Sequence, residues 1–223
     1  MIEIDARHER FVQPLATALG AVASIFERQL ASEFPAVESL CNHVGRYRGK
    51  MLRPTLTLLS GLAARKGDVT ALESDSLRRL AAVFEMIHMA TLVHDDVLDE
   101  ADDRRGGATV NRLNDNETAV MLGDYLISNA FHLAASIGDA DLTERIGRVT
   151  NTLCEGELIQ LHHRDDLGLD LGQLVHLLLE LRDALFEFGD LLEQRLDALL
   201  GGDLFLRQQR HLALEARRVQ LVL

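Results

Sequence analysis

The chain has 223 residues, of which 47% are hydrophobic, and a formal net charge of −12. That is enough for one large domain or two small ones with a sizeable core. The acidic balance argues against nucleic acid as a partner, because phosphate contacts need a basic surface; a small anion needs only a local basic cluster and stays open.

Cys41 and Cys154 show neither metal-ligand spacing nor a disulfide framework, which fits a reducing cytosol. The leading MIEIDARHER has no basic lead and no apolar run, so no signal peptide is expected. No apolar stretch approaches the roughly 20 residues that span a bilayer. A cytoplasmic protein, not integral to a membrane, is expected.

Helical periodicity dominates. Phe11, Leu15, Leu19, Val22 and Phe26 predict a first amphipathic helix, and Val37, Leu40 and Val44 a shorter second one. The basic connection GRYRGKMLRP follows. Pro54 suits the first position of the next helix, where its missing N–H costs nothing. That helix, TLTLLSGLAA, is nearly all apolar or small and is expected to be central, ending at Gly67-Asp68. Leu77, Leu80, Phe84, Ile87 and Thr91 mark a fourth helix. After Gly106-Gly107 a loop leads to a helix around 117–137, whose small residues Ala119, Gly123, Ser128 and Ala130 allow close packing. Leu142, Ile146, Val149 and Leu153 mark another. Leu174, Leu178, Leu181, Leu185, Phe188 and Leu192 form a heptad-like stripe, ended by Gly201-Gly202. No strand alternation is found. The expectation is one all-α domain over 1–223, a bundle of about seven or eight helices.

The informative places are those where an apolar stripe turns polar without leaving its face. His88, Asp95 and Asp99, spaced seven and four apart, continue the face of Leu80, Phe84 and Ile87. Asp96, Glu100, Asp102 and Asp103 add charge nearby. Like carboxylates one turn apart repel, and the helix macrodipole disfavours anions at a C-terminus. A hard divalent cation removes both penalties, and magnesium takes one or two carboxylates together with phosphate oxygens and water. Taken alone, the acids are either a solvated helix end or such a site. Arg104 and Arg105 follow at once, either as ordinary helix-end cations or as guanidinium forks for a metal-bridged diphosphate. Lys50 and Arg53 form a second basic pair, surface charge or anion contact. The stripe ending at Leu153 continues into Glu157 and Gln160, so three helices are expected to converge on a cavity with a polar rim and an oily floor. His94 and His132 read as satisfied structural histidines, and His162-His163 as a helix-end pair.

These residues resemble the trans-isoprenyl diphosphate synthases, the polyprenyl synthetases. IHMATLVHDDVLDEADDRRGG is similar to the family's first aspartate-rich motif, DDxxD, with its trailing RRG. RGKMLRP resembles the GKxxRP element, and GDYLISNAF and CEGELIQL resemble two later helices. The likeness covers roughly residues 40–165, and the order and spacing of four elements make it specific. It implies an all-α bundle of the isoprenoid-synthase type around a central cavity. It also implies magnesium-dependent condensation of an allylic diphosphate with isopentenyl diphosphate. By resemblance, Asp95 and Asp99 ligate magnesium on the allylic diphosphate, with Asp96 in or near that shell. Arg104 contacts the allylic diphosphate. Lys50, Arg53, His88 and Arg105 hold isopentenyl diphosphate, and Glu157 and Gln160 face the cavity, Gln160 as a substrate contact. The family sets product length one turn before Asp95, where Ala90 and Thr91 are small; a product longer than farnesyl is expected, with Met86 and Ile87 as a deeper floor.

The family's second aspartate-rich motif is not found. After Asp166 the likeness fades, and Arg182-Asp183 is a poor counterpart of the family's Lys-Thr pair. Residues 1–165 are therefore family-like and 166–223 a divergent or truncated helical tail, giving a C-terminally shortened bundle. Two readings follow: an active prenyltransferase, or an impaired synthase-like subunit or fragment that acts as a binding or interaction protein. A homodimer or a heteromeric partner subunit is expected.

Overall fold

The computed structural model describes residues 6–47 and 49–162. The heptad stripe, His163, Arg182-Asp183 and the rest of the tail lie outside them. Among the described residues seven α-helices run in order: α1 (Ala6–Leu30), α2 (Pro35–Gly45), α3 (Leu52–Ala64), α4 (Asp75–Leu98), α5 (Val110–Leu113), α6 (Asn116–Ala135) and α7 (Ala140–His162). A short 3-10 turn, Val69–Glu73, separates α3 from α4. Contacts divide the chain into two compact units, Met1–Gly138 and Asp139–Leu223.

In the first unit the central helix is α4, not α3. Leu77, Leu80, Ala81, Ala82, Val83, Met86, Met89, Ala90 and Val93 of α4 are all buried. Consecutive buried residues from Leu80 to Met86 mean that its middle turns are covered all round, by α1, α3 and α6. Each fully buried leucine or methionine there contributes about 1.5–3 kcal/mol. The segment TLTLLSGLAA is one-sided instead. Leu58 and Leu62 point inward, whereas Leu52, Leu56 and Leu59 are 63%, 55% and 38% exposed. A run of leucines without polar interruption hides its sidedness from a pattern reader.

Local signals place the helix ends. Ser74 Oγ accepts the Leu77 N–H and starts α4, and Asp115 accepts the Thr118 N–H at 2.6 Å and starts α6. Pro54 stands at the third position of α3, two residues further in than expected. The first turn has no intrahelical N–H bonds to lose, so the ring is tolerated there too. α3 and α4 end alike. The N–H of Gly67 reaches the Leu62 carbonyl at 2.8 Å, and that of Ala101 reaches the Asp96 carbonyl at 2.9 Å. Both are Schellman closures, with Lys66 (φ 52°) and Glu100 (φ 51°) in the left-handed position where glycine is usual.

One feature went unread in the sequence. Asp103–Arg104 (β1) and Gly107–Ala108 (β2) pair antiparallel, Asp103 with Ala108 and Arg104 with Gly107. Strands of two residues show no alternation to detect. The connecting residues Arg105 (φ 51°) and Gly106 (φ 79°) are both left-handed, as a type I′ hairpin requires.

In the second unit α7 begins with the Leu142 N–H on Asp139 Oδ1 and buries Leu142 and Ile146. From Leu153 onward its stripe is largely open to solvent.

The small residues of α6 act as expected at Ala119, Gly123 and Ala130, which are buried; Ser128 is exposed. A Cβ at Gly123 would overlap the His94 ring. Gly123→Ala should therefore destabilise the first unit by about 1–3 kcal/mol despite alanine's better helix propensity. In urea titrations Gly123→Ala combined with His94→Ala should be no less stable than His94→Ala alone. A single Gly123→Ala variant as stable as the parent would contradict this packing.

Candidate functional site

The site is assembled from three pieces of the first unit: the loop and first turn of α3, the second half of α4, and the hairpin. Lys50, Met51, Leu52 and Arg53 come from the first piece, Glu85, His88, Met89 and Leu92 from α4, and Arg105 from the hairpin. With Tyr47 and Gly49 they line one cavity of about 310 Å³. The structure thus brings Lys50, Arg53, His88 and Arg105 together although 55 residues of sequence separate the first from the last.

Backbone geometry makes this approach close. Met51 precedes α3 in the left-handed conformation (φ 51°, ψ 40°) and offers no side-chain cap to the helix. The first turn of α3 carries no acid, and Lys50 and Arg53 flank its positive end. Gly49 lies against the Arg105 guanidinium so tightly that a Cβ there would overlap it, with Nη2 2.8 Å away. A residue with a side chain at 49 would push Arg105 out of the cavity.

His88 is half-buried on α4. Desolvation, then the charges of Arg53, Arg105 and Arg104, push its pKa down from 6.5 to about 4. It is neutral at pH 7 and can donate one hydrogen bond. The depressed value also signs its linkage to folding. The unfolded chain takes a proton near 6.5 and the folded chain only near 4, so this contribution is complete above 6.5 and is lost as pH falls towards 4.

The carboxylates separate into two groups. Asp95 is half-buried and Asp99 exposed at the cap of α4, one turn apart on the face of His88; the Asp99 N–H bonds the Asp95 carbonyl at 2.8 Å. Asp96 turns inward and is 1% exposed. Its Oδ1 accepts Arg104 Nε at 2.7 Å, and its Oδ2 is buried without a hydrogen-bond partner. Burial pushes the Asp96 pKa up against the opposing pull of Arg104. The pairing leaves the two terminal nitrogens of the Arg104 fork outside that bond. Among the described residues no group of three or more His, Cys, Asp or Glu side chains forms a metal cage. Two carboxylates one turn apart are nevertheless a donor set that suits magnesium, which fills its remaining positions with phosphate oxygens and water.

Of the residues expected to set cavity depth, Ile87 and Thr91 share the half-open face of α4, whereas Met86 and Ala90 are fully buried. Glu157 is half-buried and Gln160 exposed on α7, in the second unit. His94 and His132 are satisfied as expected: His94 Nε2 lies 3.1 Å from the Val120 carbonyl and His132 Nδ1 3.0 Å from Gln29 Nε2.

Sequence reasoning missed several residues. Glu85 is 4% exposed in the cavity wall, and its signal was an acid inside the apolar stripe Phe84-Glu85-Met86. His43 Nε2 lies 2.9 Å and Tyr47 Oη 3.4 Å from the Ala108 carbonyl, fixing the hairpin to α2. Thr109 and Asn111 fix it to α4. These contacts join distant segments and have no local pattern.

A profile of the polyprenyl synthetase family matches residues 34–178, and the chain belongs to that family. It is 36% identical over 176 residues to the all-trans-nonaprenyl-diphosphate synthase (geranyl-diphosphate specific) of Rhodobacter capsulatus, covering 78% of this chain and 52% of that protein. The crystal structure of a decaprenyl diphosphate synthase from Rhodobacter capsulatus superposes with a TM-score of 0.71 at 31% identity, covering 88% of this chain and 58% of the other. A polyprenyl synthase from Caulobacter crescentus CB15, solved with calcium and isoprenyl diphosphate, gives 0.71 at 28%, covering 87% and 57%. The all-α fold expected from the sequence is the fold of these neighbours. The chain spans about half the length of the curated relatives it matches.

By NMR the His88 imidazole should titrate near 4 in the free protein and move upward if an anion is taken into the cavity, because an anion favours the imidazolium. A free-protein midpoint at the ordinary 6.5 would contradict the site as described.

Proposed function

We propose that the chain carries the diphosphate-binding part of a trans-prenyltransferase, which condenses an allylic diphosphate with isopentenyl diphosphate to a polyprenyl diphosphate longer than farnesyl. The observation that carries this reading is the cavity shared by Lys50, Arg53, His88 and Arg105, with the Asp95/Asp99 pair about two turns beyond His88 on the same face of α4. A cation-lined cavity and a separate carboxylate pair on one helix face suit two diphosphates of which one is metal-bridged.

Magnesium held by Asp95 and Asp99 would supply charge neutralisation for a leaving diphosphate. Arg104, fixed through Nε by Asp96, offers its terminal nitrogens to the allylic diphosphate oxygens. Lys50, Arg53 and Arg105 hold the diphosphate of the second substrate, and neutral His88 donates a hydrogen bond to it. The allylic C–O bond breaks with its electron pair leaving on diphosphate. The isopentenyl double bond attacks the allylic carbon, and a proton is then lost to the departed diphosphate. The buried wall of α4 keeps water from the cation. Thr91, small and on the half-open face, leaves room for a long chain; the nonaprenyl and decaprenyl products in the names of two similar proteins support that length.

The cellular setting follows the same reading: a cytoplasmic protein that works as a homodimer or as the partner subunit of a heteromer. No helix among the described residues is long and apolar enough to cross a membrane. One observation favours a second reading, a binding subunit without turnover. The sequence contains one aspartate-rich motif.

The test is an assay with magnesium, isopentenyl diphosphate and geranyl or farnesyl diphosphate. Turnover by the purified chain excludes the binding-subunit reading. Asp95→Ala should abolish magnesium-dependent product formation, by about a hundredfold or more; full activity in that variant sinks the metal assignment. Chelation of magnesium should have the same effect.

A further inference from the structure

We propose that Asn111 is a positioning residue, which locks the arginine hairpin to the carboxylate end of α4 and so sets the shape of the diphosphate subsite. The inference rests on the diphosphate reading above and adds a residue that touches neither substrate nor metal in it. Asn111 lies on α5, the four-residue helix that follows the hairpin. Its Nδ2 donates to two backbone carbonyls, Asp96 at 3.2 Å and Ala101 at 3.1 Å. The first belongs to the residue whose carboxylate grips Arg104; the second is where the chain leaves α4 for the hairpin. One carboxamide therefore spans both ends of the segment that carries Asp99.

Neither element needs these bonds for its own closure. The end of α4 is closed by the Ala101 N–H on Asp96 and the Glu100 N–H on Val97. The hairpin has its own ladder, and Thr109 already joins it to Ala101 through Oγ1 at 2.7 Å and to Asp102 through its N–H at 3.0 Å. What Asn111 adds is the register between the two. It does so at a cost, since its Oδ1 is buried without a hydrogen-bond partner. Turning the amide over offers no relief, because Oδ1 would then face two carbonyl oxygens. Asp96 Oδ2 is likewise buried without a hydrogen-bond partner.

Asn111→Asp keeps the size and replaces the donor by an acceptor aimed at both carbonyls; Asn111→Ala removes the donor without repulsion. In the full chain, calorimetry with inorganic diphosphate and magnesium chloride should show binding to the parent, weakened about tenfold or more in both variants. The Arg104 Nε–H resonance, held by Asp96 in the parent, should broaden or shift in both, while the helical circular dichroism is kept. Unchanged affinity and an unchanged Arg104 signal in folded Asn111→Ala would overturn the proposal. So would a lower melting temperature with parental affinity, since that is a purely structural role. If Asn111→Asp does not fold, Asn111→Ala decides. If the parent itself binds no diphosphate, the functional reading fails, and the Arg104 signal still decides whether Asn111 positions the hairpin.

Discussion

Two helix ends in this protein are charged against their own dipoles, and Arg105 of the hairpin that follows the second reaches the cavity at the first. The positive start of α3 carries Lys50 and Arg53 and no acid, and the negative end of α4 carries Asp95, Asp96 and Asp99 and no base. Each such misplacement costs about 0.3–1 kcal/mol at an exposed site, and more where water is excluded. A fold selected for stability alone would exchange the two sets. The buried Asp96–Arg104 pair relieves one carboxylate from within the chain. Under the proposed function, an anion at one end and a cation at the other, as a metal-bridged diphosphate would supply, offset the remaining charges.

The backbone around these ends is strained in the same sense. Met51, Glu100 and Arg105 all have positive φ without being glycine, and all three border the site. Conformations of this kind cost about 1–3 kcal/mol each and persist only where the surroundings over-determine them. The surroundings here are the buried turns of α4, the Schellman closure at Ala101, and the ties from His43, Tyr47, Thr109 and Asn111 to the hairpin. Close packing of Gly123 against His94, the residue before Asp95, serves the same end by holding α4 and α6 in contact.

Most of the helices were legible because their apolar residues recur at three or four positions; α5, four residues long inside what reads as a loop, was not. The candidate site was legible where that stripe changes chemistry, at His88, Asp95 and Asp99 on α4. Three things were not. Asp96 is adjacent to Asp95 in sequence but about 100° round the helix, and only the packed structure shows it buried on Arg104. The hairpin is too short to have a pattern, and its ties reach across up to 65 residues, as from His43 to Ala108. The sidedness of α3 is masked by leucines on both faces, so that α4 rather than α3 proves central.

The most direct test of the central claim is a thermal melt of the purified chain with magnesium, with inorganic diphosphate, and with both. If opposed helix-end charges define the site, the two ligands together raise the melting temperature by more than the sum of their separate effects, since each neutralises what the other leaves. A combined shift no larger than that sum would contradict the account.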